Sequence, residues 1–317
     1  MKKKYLILLS TILVLTFLLS SCMPGPRVIG TPGVALSDDT AVVAYGTYVF
    51  GVDVENGTAV WHFPEKANTQ IVFYARPLVT EDAVYVGDLG NNFHKLNLET
   101  GVEEWIFTGA NGYFIGQAAL DGEMIYAPSN DGNLYALDKN GNLVWQFKTG
   151  HYIWAQPQIT TDAVFIGSMD HSVYALSKDG EELWSYKMGG AVVGAPILSE
   201  DGSTLFVGSM GKEMVALDTS SGDVVWTYDA NGSLESVWGI PLLNSGSLIF
   251  SDSSGQIFAL DTQSGEPSWQ TQVTGSIVGG LTAIEDGFVL GTKEGLLKAF
   301  DFEGSPKWEA TLEGEIF

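Results

Sequence analysis

One short pattern, a glycine followed four residues later by a tryptophan, recurs seven times and limits the folds that this chain can adopt. The stretch ALDTSSGDVVW (216–226) is nearly repeated as ALDTQSGEPSW (259–269). The repeated tryptophans are spaced by 44, 40, 39, 42, 43 and 39 residues, and they are Trp61, Trp105, Trp145, Trp184, Trp226, Trp269 and Trp308. A period of this length predicts stacked supersecondary units.

The content of one repeat indicates which kind of unit is stacked. In the fifth repeat, glycine and aspartate turns separate four short apolar runs, at residues 195–199, 204–209, 213–217 and 223–228. Four such runs predict one antiparallel sheet, and sheets repeated radially make a β-propeller without long open edges. Seven units fit residues 28–310, so we predict an all-β, seven-bladed β-propeller of four-stranded antiparallel blades.

Each repeated residue has a predicted structural role. The glycine supplies the positive φ of a tight turn, and the aspartate before it accepts backbone N–H groups in that turn. The alanine lies in mid-strand, where a neighbouring blade presses closely. The tryptophan buries a large ring and needs a partner for its N–H, which suits the contact between two blades. We therefore predict that all seven tryptophans are structural docking residues.

The pattern Ala-x-Asp-x-x-Ser/Thr-Gly-x-x-x-Trp resembles the tryptophan-docking motif of the quinoprotein-like (PQQ-like) β-propeller repeat family. Copies two, five and six match it over their full length, and copies three, four and seven lack one turn residue. The first copy has Asn56 where serine or threonine is usual. The resemblance covers residues 28–310 and implies the fold.

The resemblance implies three functional classes. Quinone-dependent dehydrogenases need adjacent cysteines, a calcium site and a longer chain, whereas Cys22 is the single cysteine here. The BamB-type outer-membrane assembly lipoproteins have eight blades, against the seven repeats detected. The third class comprises envelope propellers that bind a ligand, a polysaccharide or a protein. We expect a non-catalytic scaffold or binding module with no cofactor and no metal; the alternative is an enzyme, either quinoprotein-type or a hydrolase.

The first residues predict export and lipid attachment. Three lysines precede an apolar run from Tyr5 to Leu19, which is shorter than the roughly 20 residues of a membrane span. The sequence LSSC that ends at Cys22 resembles a bacterial lipobox. We expect a signal peptide (1–21), a lipidated tether (22–27) and one propeller domain (28–317). The anchor would lie at the periplasmic face of an outer membrane, or at the cell surface where there is one membrane.

Charge and cysteine content exclude several other classes. Without the signal peptide, 12 Lys and Arg stand against 38 Asp and Glu, a net charge of −26. Nucleic-acid binding needs a basic surface, so we expect no nucleic-acid partner. A single cysteine excludes internal disulfides.

Metal ligation is also poorly supported by the sequence. The four histidines, His62, His94, His151 and His171, lie in different repeats and lack ligand spacing. The stretch SNDGN (129–133) lacks the full ligand set of a calcium loop and is interpreted as a hairpin turn.

An aromatic and amide cluster is predicted at one mouth of the central channel. Aligning the starts of the inner strands places a set of non-repeated side chains on one arc, and Trp154 and Trp238 are the two tryptophans outside the repeat register. Amphipathic aromatics with few rotamers are common binding anchors. The alternative is that these side chains plug the channel. We call them the mouth residues: Tyr74, Arg76, Tyr113, Gln117, Trp154, Gln156 and Trp238.

The tail LEGEIF (312–317) resembles the lead-in to another repeat. Two interpretations stay open: the tail lies against the start of the first blade, or it precedes an eighth blade.

Overall fold

The computed structural model describes residues 33–37 and 39–312. They form seven four-stranded antiparallel sheets arranged in a ring, each sheet built from four consecutive strands. The predicted β-propeller is therefore confirmed, with seven blades in the described part of the chain. The predicted signal peptide, lipidated Cys22 and residues 313–317 lie outside the described residues.

The strands follow one another from the inner to the outer edge of each blade. Blades 1 to 4 contain β1 (Gly33–Leu36), β2 (Thr40–Tyr45), β3 (Tyr48–Asp53), β4 (Ala59–Phe63); β5 (Leu78–Val79), β6 (Ala83–Gly87), β7 (Phe93–Asn97), β8 (Glu103–Phe107); β9 (Ala119–Asp121), β10 (Met124–Pro128), β11 (Asn133–Asp138), β12 (Leu143–Lys148); β13 (Gln158–Ile159), β14 (Ala163–Gly167), β15 (Ser172–Ser177) and β16 (Glu182–Lys187).

Blades 5 to 7 repeat the arrangement. They contain β17 (Ile197–Leu198), β18 (Thr204–Ser209), β19 (Glu213–Asp218), β20 (Val224–Tyr228); β21 (Leu242–Asn244), β22 (Ser247–Ser251), β23 (Gln256–Asp261), β24 (Pro267–Gln272); β25 (Thr282–Ile284), β26 (Gly287–Gly291), β27 (Leu296–Phe300) and β28 (Pro306–Thr311). A short 3-10 helix (Ala230–Gly232) connects blades 5 and 6.

A β-bulge recurs between the third and fourth strands of every blade. In blade 5, Ala216 lies opposite Trp226, and the register shifts between Ala216 and Leu217. The same shift follows the residue opposite the repeated tryptophan in the other six blades. A bulge increases local twist and redirects side chains. Its recurrence explains why the spacing from the turn glycine to the tryptophan is the same in all seven repeats.

In blades 3, 5, 6 and 7 the turn before the tryptophan is held by its aspartate, as predicted. Asp218 Oδ1 accepts hydrogen bonds from the backbone N of Ser220 and Ser221, at 2.9 and 3.0 Å. Gly222 adopts a φ of 75°, which an L side chain rarely adopts. Equivalent aspartate bonds form in blades 3, 6 and 7.

The hydrophobic core lies between blades rather than within them. Six clusters of buried side chains fill the six contacts between consecutive blades, from blades 1 and 2 to blades 6 and 7. The strands are two-sided, so alternate residues contact the preceding and the following blade. Within the described residues, no such cluster joins blade 7 to blade 1.

Candidate functional site

The starts of the inner strands surround a cavity of about 220 Å³ at one mouth of the channel. Blades 2 to 7 contribute to its lining, and the inner segments approach one another backbone to backbone. A Cβ on Gly239 would lie 2.3 Å from the carbonyl oxygen of Gly279, so the close approach requires glycine there. The lining includes five of the seven mouth residues: Arg76, Gln117, Trp154, Gln156 and Trp238.

Trp154 is held in a fixed orientation at this cavity. Its Nε1 donates to Asn130 Oδ1 at 2.9 Å. Its ring lies nearly parallel to that of Tyr152, with an interplanar angle of 14° and centroids 6.4 Å apart. Two contacts from different segments thus orient the indole before any partner binds.

Trp238 lies in the same lining but is held differently. It is half-buried, and its indole Nε1 has no hydrogen-bond acceptor among the described residues. A tryptophan N–H usually finds an acceptor when it is buried. Trp238 therefore contributes to the lining an indole whose N–H has no protein partner among the described residues.

Arg76, Gln117 and Gln156 occupy equivalent positions in successive blades and reach back to the preceding blade. Arg76 Nε donates to the carbonyl oxygen of Val34 at 2.9 Å. Gln117 Nε2 and Gln156 Nε2 donate to the carbonyl oxygens of Pro77 and Ala118, which directly precede the inner strands of the blades before them, each at 3.5 Å. These side chains connect neighbouring blades, which is the kind of contact expected if the mouth residues plug the channel.

Tyr74 and Tyr113 lie apart from the cavity. Neither lines it, and both rings are exposed. Both lie in the segments that precede the inner strands β5 and β9, and proximity in sequence to lining residues did not bring them into the lining. The structure thus brings five mouth residues together and leaves these two outside.

The electrostatic character of the cavity is simple. Arg76 is the single ionisable side chain among its lining residues, and the remainder are apolar residues, glycines and two amides. In a chain with 38 acidic residues, this places one cation beside two tryptophans. The arrangement suits a partner that offers hydrogen-bond acceptors or a carboxylate together with an apolar group.

Six of the seven repeated tryptophans dock on the following blade. Trp226 Nε1 donates to the carbonyl oxygen of Thr262 at 3.0 Å, and its ring covers Gly265. A Cβ on Gly265 would lie 2.7 Å from the ring, so the contact requires the glycine. The same pair of contacts forms at Trp61, Trp105, Trp145, Trp184 and Trp269.

Trp308 departs from the predicted docking role. It is 46% exposed, and its Nε1 makes no hydrogen bond within the described residues. The sequence around it keeps the motif, but no described blade lies against its ring. Docking depends on the next blade as well as on the local sequence, and this explains the difference.

Blade 2 contains a buried ionisable cluster that was not predicted from the sequence. His94 is 1% exposed; its Nε2 lies 3.1 Å from Asp88 Oδ2, and its Nδ1 lies 2.6 Å from Glu103 Oε1. We call these three residues the histidine cluster. Its one sequence signal is a histidine on β7, at a position where the third, fourth and fifth blades have Tyr or Val.

The charge state of the histidine cluster follows from its contacts. Burial is the largest influence on the pKa of His94 and lowers it, but the hydrogen bonds and charges of the two carboxylates together raise that pKa above its usual value. Burial likewise raises the pKa of Asp88, but hydrogen bonds from His94 and Asn92 bring it below its usual value. The cluster therefore favours a protonated His94 between two carboxylates.

The segment SNDGN is a hairpin turn between β10 and β11, as predicted. Asp131 accepts hydrogen bonds from Tyr135 Oη at 2.6 Å and from the backbone N of Asn111 and Asn133. Burial and the hydrogen bond to Asp131 raise the pKa of Tyr135. The carboxylate of Asp131 thus connects the turn to Tyr135 on β11.

Two other kinds of feature, a metal-binding cluster and a membrane-spanning helix, are absent from the described residues. Residues 33–37 and 39–312 contain no group of three or more His, Asp or Glu side chains arranged to hold a metal ion. None of the helices in that part of the chain has the length and hydropathy that a membrane span needs.

Comparison with known proteins places the chain among propellers. BamB from Moraxella catarrhalis superposes with a TM-score of 0.76 at 20% identity, over 89% of this chain and 88% of that one. The computationally designed Ika8 protein superposes with a TM-score of 0.78 at 16% identity, over 90% and 89% of the two chains. At these identities the likeness concerns the fold alone. No curated protein sequence matches significantly.

A family model gives the decisive match. The model described as outer membrane protein assembly factor BamB matches residues 21–168 and again residues 169–316, which together are nearly the whole chain. The chain therefore belongs to the BamB family of PQQ-like β-propellers.

Proposed function

We propose that this chain is a lipid-anchored cell-envelope propeller that acts as a non-catalytic scaffold in outer-membrane protein assembly. The observation that carries the proposal is the match of both halves of the chain to the family model of that assembly factor. The lipobox that ends at Cys22 supports the anchor, and the export signal supports an envelope location.

The cavity with its tryptophans is the proposed surface for a protein partner. Its volume of about 220 Å³ is below the roughly 300–1,000 Å³ of typical small-molecule sites. A space of this size suits one inserted side chain or loop tip. Trp154 is pre-oriented, and Trp238 offers a free N–H, so the two provide the rigid aromatic anchors that interface hot spots favour.

The composition of the cavity supports a binding role over a catalytic one. General acid–base catalysis uses groups that exchange protons near the working pH. The lining holds one ionisable group, Arg76, and an arginine guanidinium stays charged in proteins. The residues that line the cavity can therefore bind and orient a partner, but none of them is a group that exchanges protons near neutral pH.

A second candidate is a ligand- or polysaccharide-binding propeller. It is favoured by the near-parallel pair of Tyr152 and Trp154 beside the amides of Gln117 and Gln156. Flat aromatic faces with nearby amides suit a sugar ring, which has both apolar and hydroxyl-bearing surfaces.

Co-purification from native membranes tests the proposal. The full-length protein is extracted in mild detergent, and accompanying proteins are identified by mass spectrometry. We expect a stoichiometric envelope protein with the wild type and its loss with the double variant Trp154→Ala/Trp238→Ala. Trp308→Ala is the matched control, because it removes an exposed tryptophan on the outer strand β28 that does not line the cavity.

Three outcomes would contradict this assignment. Retention of the partner by the double variant would leave the mouth residues as a channel plug. A purified protein that carries a small molecule and no protein would favour the second candidate or an enzyme. A lipid anchor at Cys22 would be excluded if the Cys22→Ser variant and the wild type were found in the soluble fraction in equal amounts.

A further inference from the structure

The connection between blades 5 and 6 is longer than the blade repeat requires. From the repeated tryptophan to the proline that precedes the next inner strand, blade 5 has 15 residues, whereas blades 3 and 4 have 12. The extra length includes the short 3-10 turn Ala230–Gly232, which begins just after the outer strand β20 ends at Tyr228. Because 12 residues suffice for the other two connections, this turn is not needed to reach the next blade.

The inserted turn carries an acceptor sequence for N-linked glycans. Residues 229–233 read DANGS, in which Asn231 is followed by glycine and then by Ser233. An asparagine two positions before a serine or threonine, with no proline between them, is the acceptor of N-linked glycans in exported proteins. Asp229 adds a carboxylate two positions before the asparagine, which gives the extended form of the acceptor, Asp/Glu-x-Asn-x-Ser/Thr, that bacterial oligosaccharyltransferases select.

The structure leaves the acceptor amide accessible. Asn231 is exposed, and its side chain makes no hydrogen bond within the described part of the chain. Gly232 and Ser233 are exposed as well. Asp229 Oδ1 accepts a hydrogen bond from the backbone N of Asn231 at 2.9 Å, so the carboxylate holds the turn while the asparagine amide stays free. An enzyme can therefore reach Asn231 Nδ2, the atom to which such glycans are attached.

The backbone of this turn also favours its opening. Ala230 and Asn231 have φ values of 53° and 56°, in the left-handed region that is unfavourable for a residue with a Cβ. A transferase must bind its acceptor as a short extended segment. Opening the turn releases the strain at these residues and breaks no strand pairing, because residues 229–241 belong to no strand.

A second triplet in the chain provides an internal comparison. Residues 56–58 read NGT and fit the short pattern, but Val54 stands where the extended pattern has a carboxylate. Asn56 Oδ1 accepts hydrogen bonds from the backbone N and the Oγ1 of Thr58, at 2.9 and 2.6 Å. Asp53 Oδ1 also accepts from the backbone N of Asn56, within the tight turn between β3 and β4. Asn56 thus lacks the preceding carboxylate, and its amide oxygen is already engaged.

A cavity beside Asn231 has room for the first sugar of a glycan. Its volume is about 510 Å³, within the roughly 300–1,000 Å³ of small-molecule sites. The inserted turn lines part of the cavity, and residues from blade 6, including Glu266 and Gln270, line another part. Tyr228 and Pro267 add apolar surface. The hydroxyl groups of a sugar can hydrogen-bond to the polar residues, and its apolar face can lie on the aromatic ring.

We propose that Asn231 is an N-glycosylation site of the exported protein. In the transferase-catalysed step, Nδ2 attacks the anomeric carbon of an oligosaccharide that is carried on a polyprenyl diphosphate. The new C–N bond replaces the bond between that carbon and the phosphate oxygen, the lipid diphosphate leaves, and the amide nitrogen loses one proton. Export is the one requirement that this site shares with the proposed function; it needs neither the mouth residues nor a protein partner.

Mass spectrometry of the protein purified from its native membranes is the test. We expect a discrete glycan mass on peptides that contain Asn231 and none on peptides that contain Asn56. Asn231→Gln and Ser233→Ala should each abolish the added mass, and Ser233→Thr, which keeps the acceptor pattern, should retain it. Asp229→Asn should lower the glycosylated fraction, because it removes the preceding carboxylate. Asn56→Gln is the matched control and should carry the glycan as the wild type does.

Three results would overturn the glycosylation site. They are an unmodified Asn231 in the protein from native membranes, a glycan that persists in Asn231→Gln, and a glycan at Asn56 instead. The double variant Trp154→Ala/Trp238→Ala separates this site from the proposed function, because it should lose the protein partner and keep the glycan. A glycosylated protein without an envelope partner would leave the site standing while the proposed function fails, and an unmodified protein with its partner would do the opposite.

Discussion

Truncation of one docked tryptophan should measure how strongly consecutive blades hold each other. Trp226 is 8% exposed, covers Gly265 and donates to Thr262, so Trp226→Ala removes a buried ring and one hydrogen bond. Removal of a buried tryptophan costs about 3–5 kcal/mol, which includes a net hydrogen-bond contribution of about 1 kcal/mol. We expect the free energy of unfolding to fall by that amount.

Urea unfolding followed by far-ultraviolet circular dichroism is the assay, with Trp308→Ala as the matched control. Trp308 follows the same motif but is exposed and makes no hydrogen bond within the described residues, so its truncation should change the unfolding free energy by less than about 0.5 kcal/mol. An unchanged midpoint for Trp226→Ala, or equal losses in both variants, would refute the argument that docking on the next blade stabilises the ring.

Two further predictions concern the turn glycines and the histidine cluster. Gly222→Ala and Gly57→Ala both place alanine at positive φ, which costs about 1–2 kcal/mol. Only Gly222 lies under a ring, that of Trp184, so in urea unfolding its variant should lose at least about 1 kcal/mol more stability than Gly57→Ala. Equal losses in the two variants would contradict the docking contact. The raised pKa of His94 means that its contribution to stability is complete below the unfolded value of about 6.5 and is lost as the pH rises through the folded pKa. The unfolding free energy of the wild type should therefore fall relative to that of His94→Gln between neutral and alkaline pH, and parallel profiles would rule this out.

The fold could be predicted because each repeat carries its own complete local pattern. The four strands expected in the fifth repeat correspond closely to β17–β20, and the aspartate and glycine turns formed as predicted. Turn chemistry, bulge and strand alternation depend on neighbours within one repeat. Seven copies of the pattern therefore predicted seven blades.

Features that depend on contacts between repeats were harder to predict. Trp308 and Trp226 have similar local sequences, but one is exposed and the other docked, because docking requires a following blade. The histidine cluster was missed for a different reason: it lies within one repeat, but the hairpins of blade 2 bring Asp88 and Glu103 to His94 from separate positions in the sequence. Alignment of the inner strands identified the cavity residues but also included Tyr74 and Tyr113, whose side chains lie outside it.

Each tryptophan docks on the blade that follows it in the sequence, so the direction of the chain also sets the order in which blades can be completed. Each blade leaves its tryptophan uncovered until the next forty or so residues have folded, since the acceptor carbonyl and glycine turn belong to the following repeat. Because repeats contact only their neighbours, order can propagate along them as in a linear array. A chain that is synthesised from its amino terminus therefore completes its blades in sequence, and each new repeat covers the tryptophan of the repeat made before it.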